Sequence, residues 1–386
     1  MKKTYLSRFM AIAFLVGQMA FFMPLTSCSS DDDDTTTPTG PIDKTEIFVE
    51  RLTELLGNVT TLLNGAVFGE KQGEYPVSSK RILENQITSL DETLTKVKDG
   101  TKKLSNSDMD NIILETNKIE NNFKSSVRTQ DFIPLPAELN IYGKNGGYIN
   151  FGTHSEFSNF GNSGEQEFTV DFWVKLTDVD NVLNSFVFLV STFTDKDLGN
   201  GEHDRKGWCI NLHMGNLRTT YAMGVQDLFE PGFGFSIVDQ WVHIALVTNE
   251  KGVDGDTNGG KPIMLKMYVN GNLSKSEQSN QDSSKPYRSN DLDIPMVAFT
   301  GMSSEGGLEG SKATNGCLRY FHIWNKAKNQ ADIIKIMNNP ETITGSESDL
   351  VCGWNFDQTV SDDGDIKDIT GKFSAKLVGD FKWVNK

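Results

Sequence analysis

FTVDFWVKL, residues 168–176, decides the fold. Its even positions are Phe, Val, Phe, Val and Leu, and its odd positions are Thr, Asp, Trp and Lys. Period-two alternation is the signature of a strand with one face in a core. Working outward, the same pattern recurs in Trp241–Val247 and Ile263–Val269, each bounded by Gly, Asn or Asp. From about Phe132 onward there are many short strands and no intervening helical runs, which predicts a sandwich or barrel. Trp173, Trp241, Trp324 and Trp354 lie inside these apolar patterns and are expected in the core.

The local detail is clearest between Gly207 and Gly224. A two-residue turn at Gly215-Asn216 would set His213 opposite Arg218 and Asn211 opposite Thr220. Trp208, Ile210 and Leu212 then share the other, apolar face with Thr219, Tyr221 and Met223. Asn270-Gly271 fits the φ-positive positions of a second hairpin turn.

GGYINFG (146–152), FTVDFWVKL, WVHIALV (241–247), MYVNGNL (267–273), LRYFHIWNKAKNQADI (318–333) and LVCGWNFDQ (350–358) follow one another in the order seen in laminin G-like, concanavalin A-like jelly-roll domains. The chain resembles that family across nearly all of 133–386. The resemblance implies two stacked antiparallel sheets, closed by the returning segment DITGKFSAKLVGDFKWV. It also implies calcium as the cofactor typical of the class. Asp254, Asp256 and Asn258 stand at spacings 1, 3 and 5 with glycine at 6, as at the start of a calcium loop. The twelfth position is Leu265, not a bidentate glutamate, so a plain hairpin loop is the competing expectation. The acidic pair of many relatives is replaced by Arg319-Tyr320 in LRYFHI.

Glucanases of the class need two carboxylates about 5 Å apart. No E-x-D-x-x-E string occurs; Glu165, Glu167 and Asp171 share parity, but the first two precede the strand proper. Five scattered histidines offer no triad. The expectation is therefore a binding domain without catalytic residues. Sugar recognition calls for planar hydrogen-bonding groups and aromatic rings on a rigid sheet or its loops. Asn211, His213 and Arg218 on the hairpin, with His203, Asp204, Arg205, Phe233 and Tyr287 nearby, are the candidates.

Ahead of the strands the period changes. Phe48, Leu52, Leu55, Val59, Leu62 and Ala66 step by fours and threes, as do Leu83, Ile87, Leu90, Leu94 and Val97, and then Met109, Ile113, Thr116, Ile119, Phe123 and Val127. Three amphipathic helices follow, broken near Gly100 and Ser105–Ser107. They predict a small three-helix bundle or stalk over 42–130, so the whole is a multidomain chain, α then all-β.

Residues 1–27 begin with Lys2, Lys3 and Arg8, continue as an apolar run and end in Leu25-Thr26-Ser27-Cys28. This is signal-peptide anatomy, and the last four residues resemble the lipobox of bacterial lipoproteins. The resemblance implies acylation of Cys28, whose chains would hold a soluble protein on a bilayer. Residues 28–41 are polar and acidic, a flexible tether. Its Asp31–Asp34 run resembles the surface-export signal of glycan-foraging Gram-negative bacteria. The implied location is the outer membrane, facing the exterior.

Net charge is −15, with 52 acidic against 37 basic residues. That opposes nucleic acid and anionic lipid surfaces as partners. Cys209, Cys317 and Cys352 permit at most one disulfide and show no zinc spacing. Together these readings predict a surface lipoprotein whose jelly roll captures a glycan or glycoprotein, alongside an outer-membrane transporter. A protein-binding adhesin or scaffold subunit is the alternative, and a glycoside hydrolase the third.

Overall fold

The computed structural model describes residues 44–158, 167–178, 186–223, 227–229, 232–233, 239–278, 287–290, 294–361 and 365–386. The leader, the acidic tether, Cys28 and Glu165 lie outside them.

Helices α1 (Thr45–Gly65), α2 (Val77–Lys98) and α3 (Asn106–Ser125) occupy the segments predicted. Phe48, Leu52, Val59, Leu83, Leu90, Leu94, Val97, Met109 and Phe123 form their shared core, at the positions the three-four spacing selects. Ser105 and Asp108 form a reciprocal capping box that starts α3. Tyr75 stacks on Phe123 at 4.2 Å, pinning the α1–α2 connection to the end of α3.

The rest is β-structure. The strands, in chain order, are β1 (Ala137–Tyr142), β2 (Tyr148–Gly152), β3 (Glu167–Leu176), β4 (Phe186–Ser191), β5 (Thr194–Gly199), β6 (Glu202–Lys206) and β7 (Trp208–His213). Then follow β8 (Asn216–Met223), β9 (Asp227–Phe229), β10 (Gly232–Phe233), β11 (Val242–Asn249), β12 (Thr257–Asn258), β13 (Lys261–Val269) and β14 (Asn272–Gln278). The last are β15 (Met296–Ala298), β16 (Asn315–Trp324), β17 (Leu350–Trp354), β18 (Asp365–Lys367), β19 (Ser374–Val378) and β20 (Phe381–Asn385). Among the described residues one α-helix, α4 (Gln330–Asn338), interrupts them.

The first sheet runs β12-β13-β11-β3-β16-β1-β20, with β14 on β13 and β17 on β16. The second runs β10-β8-β7-β4-β15-β2-β19-β18, with β9 on β8, and β5-β6 is a separate ribbon. The inward residues of both sheets make one core: Val170, Phe172 and Val174 from β3 meet Trp208, Ile210 and Leu212 from β7. The C-terminal segment does close the sandwich, since β19 pairs with β2 in the second sheet and β20 with β1 in the first.

Two local expectations are corrected. The β7–β8 turn is Met214-Gly215, both with positive φ (51° and 74°), so the pairs are Asn211 with Arg218 and His213 with Asn216. A φ-positive pair is what the strand twist demands of a two-residue hairpin, and Asn216 is left free to open β8. The slip is by two residues, so every side chain keeps its predicted face. Trp173 and Trp241 are half-buried, whereas Trp354 is core and Trp324 is buried on the outer side beside α4. Odd positions of β3 point away from the core, which the apolar surroundings of Trp173 masked. Cys209, Cys317 and Cys352 are buried, and among the described residues none forms a disulfide.

Asp171 also faces outward but ends beneath the α4 layer. Ile333 of α4 packs with Ala245, Val247 and Tyr268, and Ile336 packs with Trp324. Only 1 % exposed, Asp171 accepts from Trp324 Nε1 at 2.7 Å and lies 3.0 Å from His322 Nδ1 and 3.4 Å from His243 Nε2. Burial works against its charge, but His322 and His243 overcome this and hold the carboxyl well below the usual range. A bulge at Tyr320 (φ 51°) sets His322 opposite Asp171. This polar strut has no opening for substrate, so Asp171 drops out of any carboxylate pair.

Candidate functional site

The predicted binding residues separate into three environments. Asn211 is fully buried, its Nδ2 donating to Thr220 Oγ1 at 3.1 Å, and no ligand can touch it. The outer face of β7 is roofed by Phe188 and Phe193, which pack with Cys209 and Ala222. Tyr287 is buried too: its ring stacks on Tyr221 at 4.2 Å and its hydroxyl donates to Ser158 O. The Tyr287 hydroxyl and the Asn211 amide nitrogen both direct their hydrogen bonds into the protein.

His213 and Arg218 remain together near the hairpin tip, 2.6 Å apart through Nδ1 and Nη1 and half-buried, with the Phe186 ring 5.9 Å from the imidazole. Phe233 is placed by its backbone pairing with Leu217.

His203, Asp204 and Arg205 lie on the β5–β6 ribbon, whose register divides its charges between two faces. Asp195 pairs with Arg205 and Asp197 with His203 on one face, while Thr194 pairs with Lys206 and Lys196 with Asp204 on the other. On the first face one carboxylate holds two side chains, with Asp195 Oδ1 2.7 Å from His203 Nδ1 and Oδ2 accepting from Arg205 Nε at 3.2 Å. Those groups stiffen the ribbon. The second face borders an open cleft.

There, a cleft of about 390 Å³ opens between the ribbon and the loop at 304–306, lined by Thr194, Lys196, Asp204, Lys206, Ser304, Glu305 and Gly306. Arg288 fixes the ribbon wall, its Nη1 donating to Asp204 Oδ1 at 2.5 Å while its backbone N–H donates to Ala222 O. Gly207, at φ 79°, lets the ribbon leave β7 closely: a Cβ there would sit 2.3 Å from Thr192 O. The facing loop is a tight hairpin in which Ser303 N–H donates to Gly307 O and Gly306 N–H to Ser303 O. The cleft thus presents two ammonium groups, a carboxylate held by a guanidinium, a hydroxyl and a second carboxylate from two rigid walls. Such a set forms hydrogen bonds with vicinal hydroxyls. Of its lining, only Asp204 was legible as a candidate. Lys196, Lys206, Ser304 and Glu305 were missed, although the charge alternation of TDKDLGNGEHDRK around a glycine turn carries the ribbon pattern.

The calcium expectation does not fit the residues present. Lys266 Nζ lies 2.7 Å from both Asp254 Oδ2 and Asp256 Oδ2 and occupies the cation position itself. Burial opposes the lysine's charge, and the two carboxylates more than restore it, holding its pKa above the usual value. Asn258 pairs with Lys261 in a short hairpin turned at Gly259-Gly260. Among the described residues no group of three His, Cys, Asp or Glu is placed to hold a metal.

Two family profiles match the chain. Residues 47–127 match a domain family of unknown function, DUF4972, and residues 144–334 match the concanavalin A-like lectin/glucanases superfamily. No curated protein matches. Among solved structures, the chain is 15 % identical to the binding domain of botulinum neurotoxin serotype G, covering 51 % of this chain and 38 % of that one at TM-score 0.33. A Bacteroides ovatus protein proposed to bind carbohydrate is also 15 % identical, with 68 % and 67 % covered and TM-score 0.42. The SAP-like pentraxin of Limulus polyphemus is 11 % identical, with 65 % and 95 % covered and TM-score 0.39. The chain therefore spans well under half the length of the neurotoxin domain. From the family match and the two packed antiparallel sheets, the C-terminal region of this protein is a laminin G-like domain of the concanavalin A-like superfamily.

Proposed function

We propose that the protein is a lipid-anchored surface receptor that captures glycan in the cleft between the β5–β6 ribbon and the 304–306 loop. The observation that carries this reading is the convergence of Lys196, Asp204, Lys206, Ser304 and Glu305 on one open volume of about 390 Å³, within the usual range for small-ligand sites. Sugars are recognised by dense hydrogen bonding from fixed polar groups, and here the walls are fixed by Arg288 and by the hairpin loop. Asp171 is 1 % exposed and is not among the residues lining the cleft, so it has no part in the proposed site. In the same proposal Cys28 carries the lipid, the acidic tether directs export, and the helical bundle stands between membrane and receptor, beside a transporter that takes up the captured glycan.

The test is retention of the full-length protein in affinity gels cast with a panel of polysaccharides. At least one polysaccharide should retard it, and Lys196→Ala combined with Ser304→Ala should abolish the retardation with folding intact. No retardation by any glycan, or retardation untouched by the double variant, overturns the reading. Metabolic labelling with an alkyne fatty acid should mark the protein and fail to mark Cys28→Ala.

A further inference from the structure

The outer face of the first sheet carries a second constellation, away from the cleft. Arg319 of β16 lays its guanidinium over the Trp241 ring at 4.1 Å, with Trp173 at 5.8 Å and Tyr320 at 6.0 Å. All four side chains are half-buried, neither roofed by α4 nor free in solvent. The cradle is braced from below. Glu138 accepts from Lys175 Nζ at 2.7 Å and from the Trp241 indole, and Tyr320 donates to Asp357 Oδ2 at 3.1 Å. Glu138 and Asp357 are thus committed to other donors, and among the described residues Arg319 forms no ion pair and no hydrogen bond. Its Nε is buried without a partner, which leaves the terminal nitrogens as the accessible end.

An unpaired, partly desolvated guanidinium held flat by aromatic rings is an incomplete structure. Its fork matches a carboxylate in two parallel hydrogen bonds, and stacking has already fixed its orientation. We propose that this cradle binds the carboxylate of an acidic sugar, a uronate unit of a glycan, with the sugar ring resting on the rim formed by Trp173 and Tyr320. A single carboxylate is the occupant the charge allows. The net charge of −15 opposes an extended polyanion, and one unpaired arginine neutralises one carboxylate. The proposal rests on reading the domain as a glycan receptor, but it places a different chemistry on a different sheet.

The experiment is calorimetric titration of the full-length protein with galacturonate, glucuronate and mannuronate oligosaccharides, with the same oligosaccharides after reduction of their carboxyl groups, and with polyglutamate. At least one uronate should bind tenfold or more tightly than its reduced counterpart. Arg319→Gln, which keeps a planar hydrogen-bonding end and removes the charge, should erase that difference while leaving neutral-glycan binding at the cleft unchanged. Equal binding of acidic and reduced forms by the unaltered protein overturns the proposal whether or not the variant folds. So does equal, Arg319-dependent binding of polyglutamate, which would make the partner a polypeptide. Loss of neutral-glycan binding alone would instead overturn the cleft.

Discussion

Replacing Asp171 by Asn removes one charge from a site that is only 1 % exposed. The carboxylate accepts from Trp324 Nε1 and faces His322 Nδ1 and His243 Nε2 at 2.7, 3.0 and 3.4 Å. An amide offers one acceptor oxygen, so its NH₂ must confront at least one of these groups. Removing one partner of a buried, hydrogen-bonded charge costs about 3–5 kcal/mol. At about 2–4 °C per kcal/mol for a domain of this size, the melting temperature should fall by about 6–20 °C. Urea titration at pH 7 should show a lower midpoint with an unchanged slope. The pH dependence tests the cause. The folded-state carboxyl lies below its usual range, so its stabilisation is complete above about pH 4 and declines as pH falls. The gap between wild type and variant should therefore narrow by about 1 kcal/mol from pH 5 to pH 3, at 1.36 kcal/mol per pH unit below about 3.9. A gap under about 0.5 kcal/mol at pH 7, within the range of a neutral surface change, would refute the strut. A gap independent of pH would refute the charge argument.

Three further outcomes are expected. Burial pushes the Glu250 carboxyl up to about 7 and leaves its Oε1 without a partner. The folded state then holds that proton longer than the unfolded chain, so stability falls as pH rises from about 4.5 to 7. Glu250→Gln should remove this slope and gain about 1 kcal/mol above pH 7, allowing for the group's partial exposure; an unchanged melting curve at pH 8 would count against it. Met214 sits at φ 51° in an exposed turn, and Met214→Asn should stabilise by about 0.5 kcal/mol in thermal denaturation, because asparagine tolerates that conformation; destabilisation would show that Met214 makes contacts that matter. With Lys266 between Asp254 and Asp256, millimolar calcium should leave the wild-type melting temperature unmoved, whereas Lys266→Met should melt lower and recover with calcium; a calcium-dependent rise in the wild type would sink the assignment.

The helices and most strands were legible because periodicity reports which face is buried. The same logic found the hairpin at Asn270-Gly271, where Asn270 has φ 49° and Val269 pairs with Asn272. It failed where a second layer exists. Alternation marks Asp171 and Asn211 as outward, but it does not say that α4 will roof Asp171 or that Phe188 and Phe193 will pack over the face bearing Asn211. Similarly, composition places carboxylates in the 254–258 loop, and only the register of β13 brings Lys266 to them. Only Asp204 of the cleft was legible, for a related reason: one wall is a local hairpin, and the other comes from a loop about a hundred residues later.

The central claim is the location of bound sugar. A crystal structure of the full-length protein with whichever oligosaccharide is retained most strongly tests it directly. The account predicts sugar hydroxyls within hydrogen-bonding distance of Lys196, Asp204 and Ser304, between the ribbon and the 304–306 loop. Sugar bound only at the hairpin tip near His213 and Arg218, with the cleft holding none, would contradict it.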